Sequence, residues 1–120
     1  MKKPLIASLV ITMFFFSIAQ AGEGLGISNK IKWQTASELN NFGFDVFRGE
    51  NEEGPFTKVN ENTIAGAGSV DTPSQYEFID DTIEAEKVYW YYVESVSMSG
   101  KREKFTPTFQ SRAKSLETDS

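Results

Sequence analysis

The chain has 120 residues, 12 basic against 17 acidic side chains, and neither His nor Cys. That length suits one domain, and the net acidity argues against nucleic acid and anionic membrane surfaces as partners. Without imidazole or thiol there is no usual general base, no serine triad, no thiolate metal site and no disulfide framework.

Met1-Lys2-Lys3 forms a positive start, Leu5 to Ile18 an apolar run, and Ala19-Gln20-Ala21 a small-x-small cleavage site. This order predicts a secretory signal peptide over residues 1–21, with the mature chain beginning at Gly22. A retained anchor would need about 20 apolar residues and a charged stop-transfer segment. Gly22-Glu23-Gly24 follows instead, so no membrane span is expected after cleavage. With Lys2 and Lys3 gone, 12 − 2 leaves 10 basic residues against 17 acidic ones, a net charge near −7. The expected location is outside the cytoplasm: periplasm, cell surface or extracellular space. A domain there without disulfides must be held by its core, for which roughly 90 residues suffice.

Residues 22–29 form a Gly-rich stub in which Leu25 and Ile27 could make two or three residues of strand at most. Lys30 to Thr35 alternates, with Ile31 and Trp33 on one face and Lys30, Lys32 and Gln34 on the other, the pattern of a half-buried strand. Ala36 to Asn41 has the composition of a loop. Phe42 to Arg48 reads as a strand with Phe42, Phe44 and Val46 inward and Asp45 and Phe47 outward. A polar turn, Gly49 to Pro55, leads to a short strand, Phe56 to Val59. Asn60 to Pro73 reads as a long loop anchored by Ile64, followed by a strand at Gln75 to Ile79 with Tyr76 and Phe78 inward. Asp80-Asp81-Thr82 turns the chain and Ile83 plugs the core.

Lys87 to Val96, KVYWYYVESV, is the strand the rest is arranged around. Tyr89, Tyr91 and Val93 share one face, and Trp90, Tyr92 and Glu94 the other. Such β-branched and aromatic residues suit a pleated, packed surface. After the turn at Ser99-Gly100, Lys101 to Phe105 pairs back and continues past Pro107 to Phe109. Pro107 requires an edge strand or a bulge there. Residues 111–120 read as a polar, frayed tail. Short strands at this spacing with no amphipathic helix indicate an all-β antiparallel sandwich. Its expected core is Ile31, Trp33, Phe42, Phe44, Val46, Ile64, Tyr76, Phe78, Ile83, Tyr89, Tyr91 and Val93.

In order along the chain, WQTASELNNFGFDVFR, PFTKVN, the IAGAG loop, YEFID, then Ile83 before Tyr89, Tyr91 and Val93, and Gly100, resemble a fibronectin type III domain of the kind found in exported bacterial proteins. The resemblance spans residues 30–110. It implies an immunoglobulin-like sandwich, a core around Trp33, Phe44, Tyr89 and Tyr91, and a Tyr89 hydroxyl bonded to nearby backbone. It also implies no enzymatic activity and no cofactor. Two departures matter. The loop before the last strand reads SMSGK and the nearest approach to Arg-Gly-Asp is Arg48-Gly49-Glu50, so integrin binding is not carried over. The family's first strand would precede Lys30, where only the Gly-rich stub stands, so that strand is short or missing.

The carboxylate pairs Glu52-Glu53 and Asp80-Asp81 sit in turns, where local backbone N–H groups usually hold them. Neither has the ligand spacing of a calcium loop, so no metal is expected. The AGAGS glycines lack the strand-to-helix setting of a phosphate loop. The basic residues Lys101, Arg102, Lys104, Arg112 and Lys114 read as solvated edge and tail charges. The candidate binding residues are Phe47, Trp90 and Tyr92 on the outward face, with Arg48 beside them. The competing reading is that these rings stack on one another under the stems of Arg48 and Lys101. The function expected is a non-catalytic module docking to a larger envelope or extracellular protein assembly, including strand pairing at Lys30 to Thr35. The alternative is a small carbohydrate-binding module that uses the same rings.

Overall fold

The computed structural model describes residues 26–116. The expected signal peptide and cleavage site, the first half of the Gly-rich stub and the last four residues lie outside the described residues. Within them the chain forms eight strands and no helix: β1 (Asn29–Thr35), β2 (Glu38–Gly49), β3 (Phe56–Lys58), β4 (Ile64–Val70), β5 (Ser74–Asp80), β6 (Trp90–Ser97), β7 (Arg102–Lys104) and β8 (Phe109–Gln110).

They make two antiparallel sheets packed as a sandwich. The narrow sheet is β1 with β5, in register from Asn29↔Asp80 through Trp33↔Tyr76 to Thr35↔Ser74. The wide sheet is built on β2 and β6, paired from Asn41↔Ser97 to Gly49↔Trp90. β3 and β4 share the outer edge of β2, β3 along its last residues and β4 along its first. β7 and β8 follow one another along the outer edge of β6. Between them lies Pro107, which has no N–H to donate. Thr106 bridges the break: its Oγ1 accepts from the Val93 N–H at 2.9 Å, and the Val93 carbonyl accepts from Phe105 N–H at 2.7 Å.

Between the sheets lie Ile31, Trp33, Phe44, Val46, Ile83, Tyr89, Tyr91 and Val93. Trp33 and Tyr76 stack at 5.8 Å, and Phe44 meets Trp33 at 5.5 Å and Tyr76 at 4.7 Å. Tyr76, Phe78 and Ile64 border this core half-buried, as do Phe105 and Phe109, which the alternation pattern had not singled out.

Three expectations are corrected. Ala36 to Asn41 is not a loop throughout, because Glu38 to Asn41 opens β2. The polar side chains there are satisfied across strands, which overrides their turn propensity. Asn60 to Pro73 contains β4. Its glycines permit close approach to β2: a Cβ on Gly43 would lie 2.3 Å from the Ile64 carbonyl oxygen, and one on Gly66 would lie 2.5 Å from Asn41 Nδ2. Phe42 is 53% exposed and outside the core. Asn41 pairs with Ser97 and Gly43 with Val96, so Phe42 is the extra residue of a β-bulge, which re-aims its side chain. The tail is also better held than its composition implies: Ser111 is buried, and Lys114 O accepts from Glu86 N–H at 2.7 Å.

Candidate interaction surfaces

The outward face of the wide sheet brings Phe47, Trp90 and Tyr92 together, as alternation requires once Tyr89 and Tyr91 face inward. Phe47 stacks on Tyr92 at 5.1 Å with the rings 9° apart, and Phe56 meets Tyr92 edge-on at 5.0 Å. Lys104 Nζ lies 4.9 Å from the Tyr92 ring centroid. β2 and β7 flank β6 on opposite sides, so Phe47 and Lys104 close on Tyr92 from both sides. The cation above the ring is Lys104 and not Lys101, which pairs with Glu103 at 3.6 Å. Trp90, half-buried, stands across from Gly49, where a Cβ would lie 2.7 Å from the Pro55 carbonyl oxygen.

Arg48 does not join these rings. It has the parity of Val46 and turns to the inner end of the sandwich. Its Nη1 donates to Asp80 Oδ2 and to Thr82 Oγ1, each at 2.9 Å, and its guanidinium lies 4.6 Å from the Tyr89 ring centroid. Asp80 is 2% exposed. Oδ2 also accepts from the Tyr91 hydroxyl at 2.6 Å, while Oδ1 accepts from Thr82 Oγ1 at 2.7 Å and Thr82 N–H at 3.1 Å. Burial pushes the Asp80 carboxyl up, but the bonds from Tyr91, Thr82 and Arg48 together outweigh it and hold the group below the usual carboxylate range. Asn29 Nδ2 donates to the Tyr91 hydroxyl at 2.9 Å, and Lys114 Nζ donates to Asn29 Oδ1. Next to this network the Tyr89 hydroxyl accepts from the Glu84 N–H at 3.0 Å. Asp80 is thus an organising group of the fold, and no group of acidic ligands able to hold a metal occurs among the described residues.

Two further buried carboxylates were not legible as such. Glu38 accepts from Thr35 Oγ1 at 2.8 Å, Asn41 Nδ2 at 2.7 Å, Ala67 N–H at 2.9 Å and the Tyr76 hydroxyl, tying β1, β2, β4 and β5 together. Asp45 accepts from Asn60 Nδ2, Thr63 Oγ1 and Arg102 Nη1, each at 2.9 Å. Arg102 also donates to Glu94 at 2.7 Å, so it is a bridging cation and not a solvated edge charge. Burial raises both carboxyls, and these bonds outweigh it, leaving each lowered.

The remaining surface is the edge of β1. On one side β1 pairs with β5; on the other no strand lies among the described residues. β5 sits over β2, as Tyr76 against Phe44 and Asp80 against Arg48 show. β1 faces both β2 and β6, as Trp33 against Phe44 and Asn29 against Tyr91 show. Past β6 the wide sheet continues with β7 and β8. There Phe105, 5.4 Å from Phe44, and Phe109, 6.0 Å from Tyr91, are half-buried. Along β1 the outward side chains are Lys30, Lys32 and Gln34, with Lys30 3.8 Å from Glu77. Trp33 Nε1, on the same strand, is the one buried side-chain polar atom among the described residues without a hydrogen-bond partner. The outer edge of β5 also carries no described strand; β4, which pairs with β2 in the other sheet, reaches β5 through Asp71-Thr72-Pro73.

Compared with known protein families, with curated proteins and with solved structures, the chain shows no match.

Proposed function

We propose that this is an exported, non-catalytic interaction module, a sandwich of the fibronectin type III kind, that docks on a larger envelope or extracellular protein assembly. The observation that carries the reading is the open edge of β1. Its backbone N–H and C=O groups on that side have no strand partner among the described residues, and an unpaired edge is a template for another chain. Strand order, the buried Trp33 and the Tyr89 hydroxyl bonded to backbone five residues upstream support the family reading. The three buried carboxylates are each saturated by structural donors, which leaves none of them poised for acid–base work.

The carbohydrate alternative has less support. Tyr92 offers neither side of its ring, and Arg48 faces away from it. The test is site-specific photo-crosslinking in the native host. A photoreactive residue at Gln34, on the open edge, should give an adduct of discrete mass, and one at Lys58, on the far edge strand, should not. Adducts at neither position, or equally at both, would refute docking at this edge.

A further inference from the structure

We infer that Asn29 and Lys114 become joined by an amide bond between their side chains, which closes the sandwich with a covalent staple. The staple is independent of docking at β1.

The backbone brings the two residues together. β1 begins at Asn29 in the narrow sheet, and the tail leaves β8 of the wide sheet. Ser111 N–H donates to the Tyr89 carbonyl at 2.8 Å, and Ser111 Oγ accepts from Tyr89 N–H at 3.0 Å. Further on, the Lys114 carbonyl accepts from Glu86 N–H at 2.7 Å. With the tail held at both points, Lys114 Nζ reaches the side-chain carbonyl oxygen of the fully buried Asn29. Tyr91 fixes which end of the carboxamide faces the amine. Its hydroxyl spends its one hydrogen on Asp80 Oδ2, so toward Asn29 it can only accept. Nδ2 therefore turns to Tyr91, and Oδ1 to Lys114.

Cγ lies one carbonyl bond, about 1.2 Å, beyond Oδ1, so a small swing of the lysine stem carries Nζ onto it. Groups held in this way react at an effective concentration far above any reached in free solution. Lys114 reacts as the neutral amine. Burial, with Arg112 adding repulsion, pushes its ammonium down from the ordinary lysine value, and a desolvated lysine is a nucleophile. Nζ bonds to Cγ and the Cγ–Nδ2 bond breaks. Nδ2 leaves as ammonia, with its own two hydrogens and one from Nζ. The Tyr91 hydroxyl, bonded to Nδ2, relays that hydrogen: it gives its own to Nδ2 and takes the one that Nζ sheds. No oxidant or other reactant enters. Asn29, Tyr91 and Asp80 are all buried, which keeps water from competing for Cγ.

The product also removes a charge. Asn29 brings no counter-charge to an ammonium, whereas the joined amide is neutral. The staple spans 85 residues of sequence and ties the start of one sheet to the tail of the other, in a chain without cysteine. Cross-links that close long loops restrict the unfolded chain most.

The test is peptide mapping, by mass spectrometry, of the folded protein from its native host. The expected product is a branched peptide joining Asn29 to Lys114, in a chain lighter by one ammonia. Lys114→Arg keeps a long cation but has no amine able to attack. It should abolish the branched peptide while keeping the strand signature in circular dichroism. Cyclisation of an asparagine onto its own backbone also sheds ammonia, so loss of ammonia without the branched peptide overturns the inference. A folded wild-type chain that has lost no ammonia overturns it as well. Tyr91→Phe takes the hydroxyl away from Nδ2. In chains recovered unfolded and then folded, that variant should form the branched peptide about a hundredfold more slowly, the low end for proton transfer by a positioned group. An unchanged rate would overturn the relay.

Discussion

Replacing Asp80 by Asn keeps the shape of the side chain and removes one charge and one acceptor oxygen. Each oxygen of Asp80 now takes two donors: Oδ2 from Tyr91 and Arg48, and Oδ1 from the hydroxyl and N–H of Thr82. An amide in one orientation points its NH2 at the Arg48 guanidinium; in the other it points at the Thr82 N–H. Neither group can turn to accept. Breaking a buried ion pair by removing one member costs about 3–5 kcal/mol. The Arg48 side chain keeps 21% exposure, so water recovers part of that and the low end, about 3 kcal/mol, is expected. For a domain of this size that lowers Tm by about 12–24 °C. Urea denaturation followed by circular dichroism should show a lower midpoint at unchanged slope. A pH series gives a second readout. The folded carboxyls of Glu38, Asp45 and Asp80 lie below their ordinary values of 4.5, 3.8 and 3.8. As pH falls, the unfolded chain therefore takes up protons first. The stability these groups contribute is complete above about pH 5 and is lost as pH falls through 4 and below. Asp80→Asn removes one of the three contributions, so its loss of stability below about pH 4 should be shallower than that of the wild type. A Tm within about 4 °C of wild type, or an identical acid limb, would refute the assignment of Asp80 as the organising charge.

Trp33→Ala should cost about 3–5 kcal/mol, measured by urea denaturation, because it empties a site enclosed by Phe44 and Tyr76; an unchanged midpoint would place Trp33 outside the core. Tyr92→Ala should cost about 1–3 kcal/mol, from two ring pairs of about 0.5–1.5 kcal/mol each, and an unaffected stability would show that Phe47 and Phe56 do not lean on it. Gly43→Ala should cost about 1–3 kcal/mol and speed exchange of the β4 amides, since its Cβ would sit 2.3 Å from the Ile64 carbonyl oxygen. The protein isolated from its native host should have an intact mass lacking the first 21 residues; retention of Met1 to Ala21 would revive the anchor reading.

Local alternation was enough to read the central elements. The parity of KVYWYYVESV places Tyr91 and Val93 inside and Trp90 and Tyr92 outside, and that of KIKWQT turns Ile31 and Trp33 inward. Period-2 burial is a property of each strand by itself, so the sequence alone determined it, along with the all-β class and the lack of imidazole and thiol chemistry. What alternation cannot show is where a ladder slips. Phe42 continues the apolar parity of Phe44 and Val46, yet the extra residue between Asn41 and Gly43 turns it to solvent, and only the pairing with β6 sets that slip. β4 looked like a loop because Gly and Ala are poor strand formers. It is a strand because Gly43 and Gly66 allow two backbones to approach as no side chain would permit. The polar residues show the same limit. Glu38, Asp45 and Asp80 are ordinary surface residues by composition, and each is buried because donors from distant strands converge on it. Their partners lie up to 57 residues away, as with Arg102 on Asp45, so tertiary packing, and no local pattern, decided that these three charges are internal.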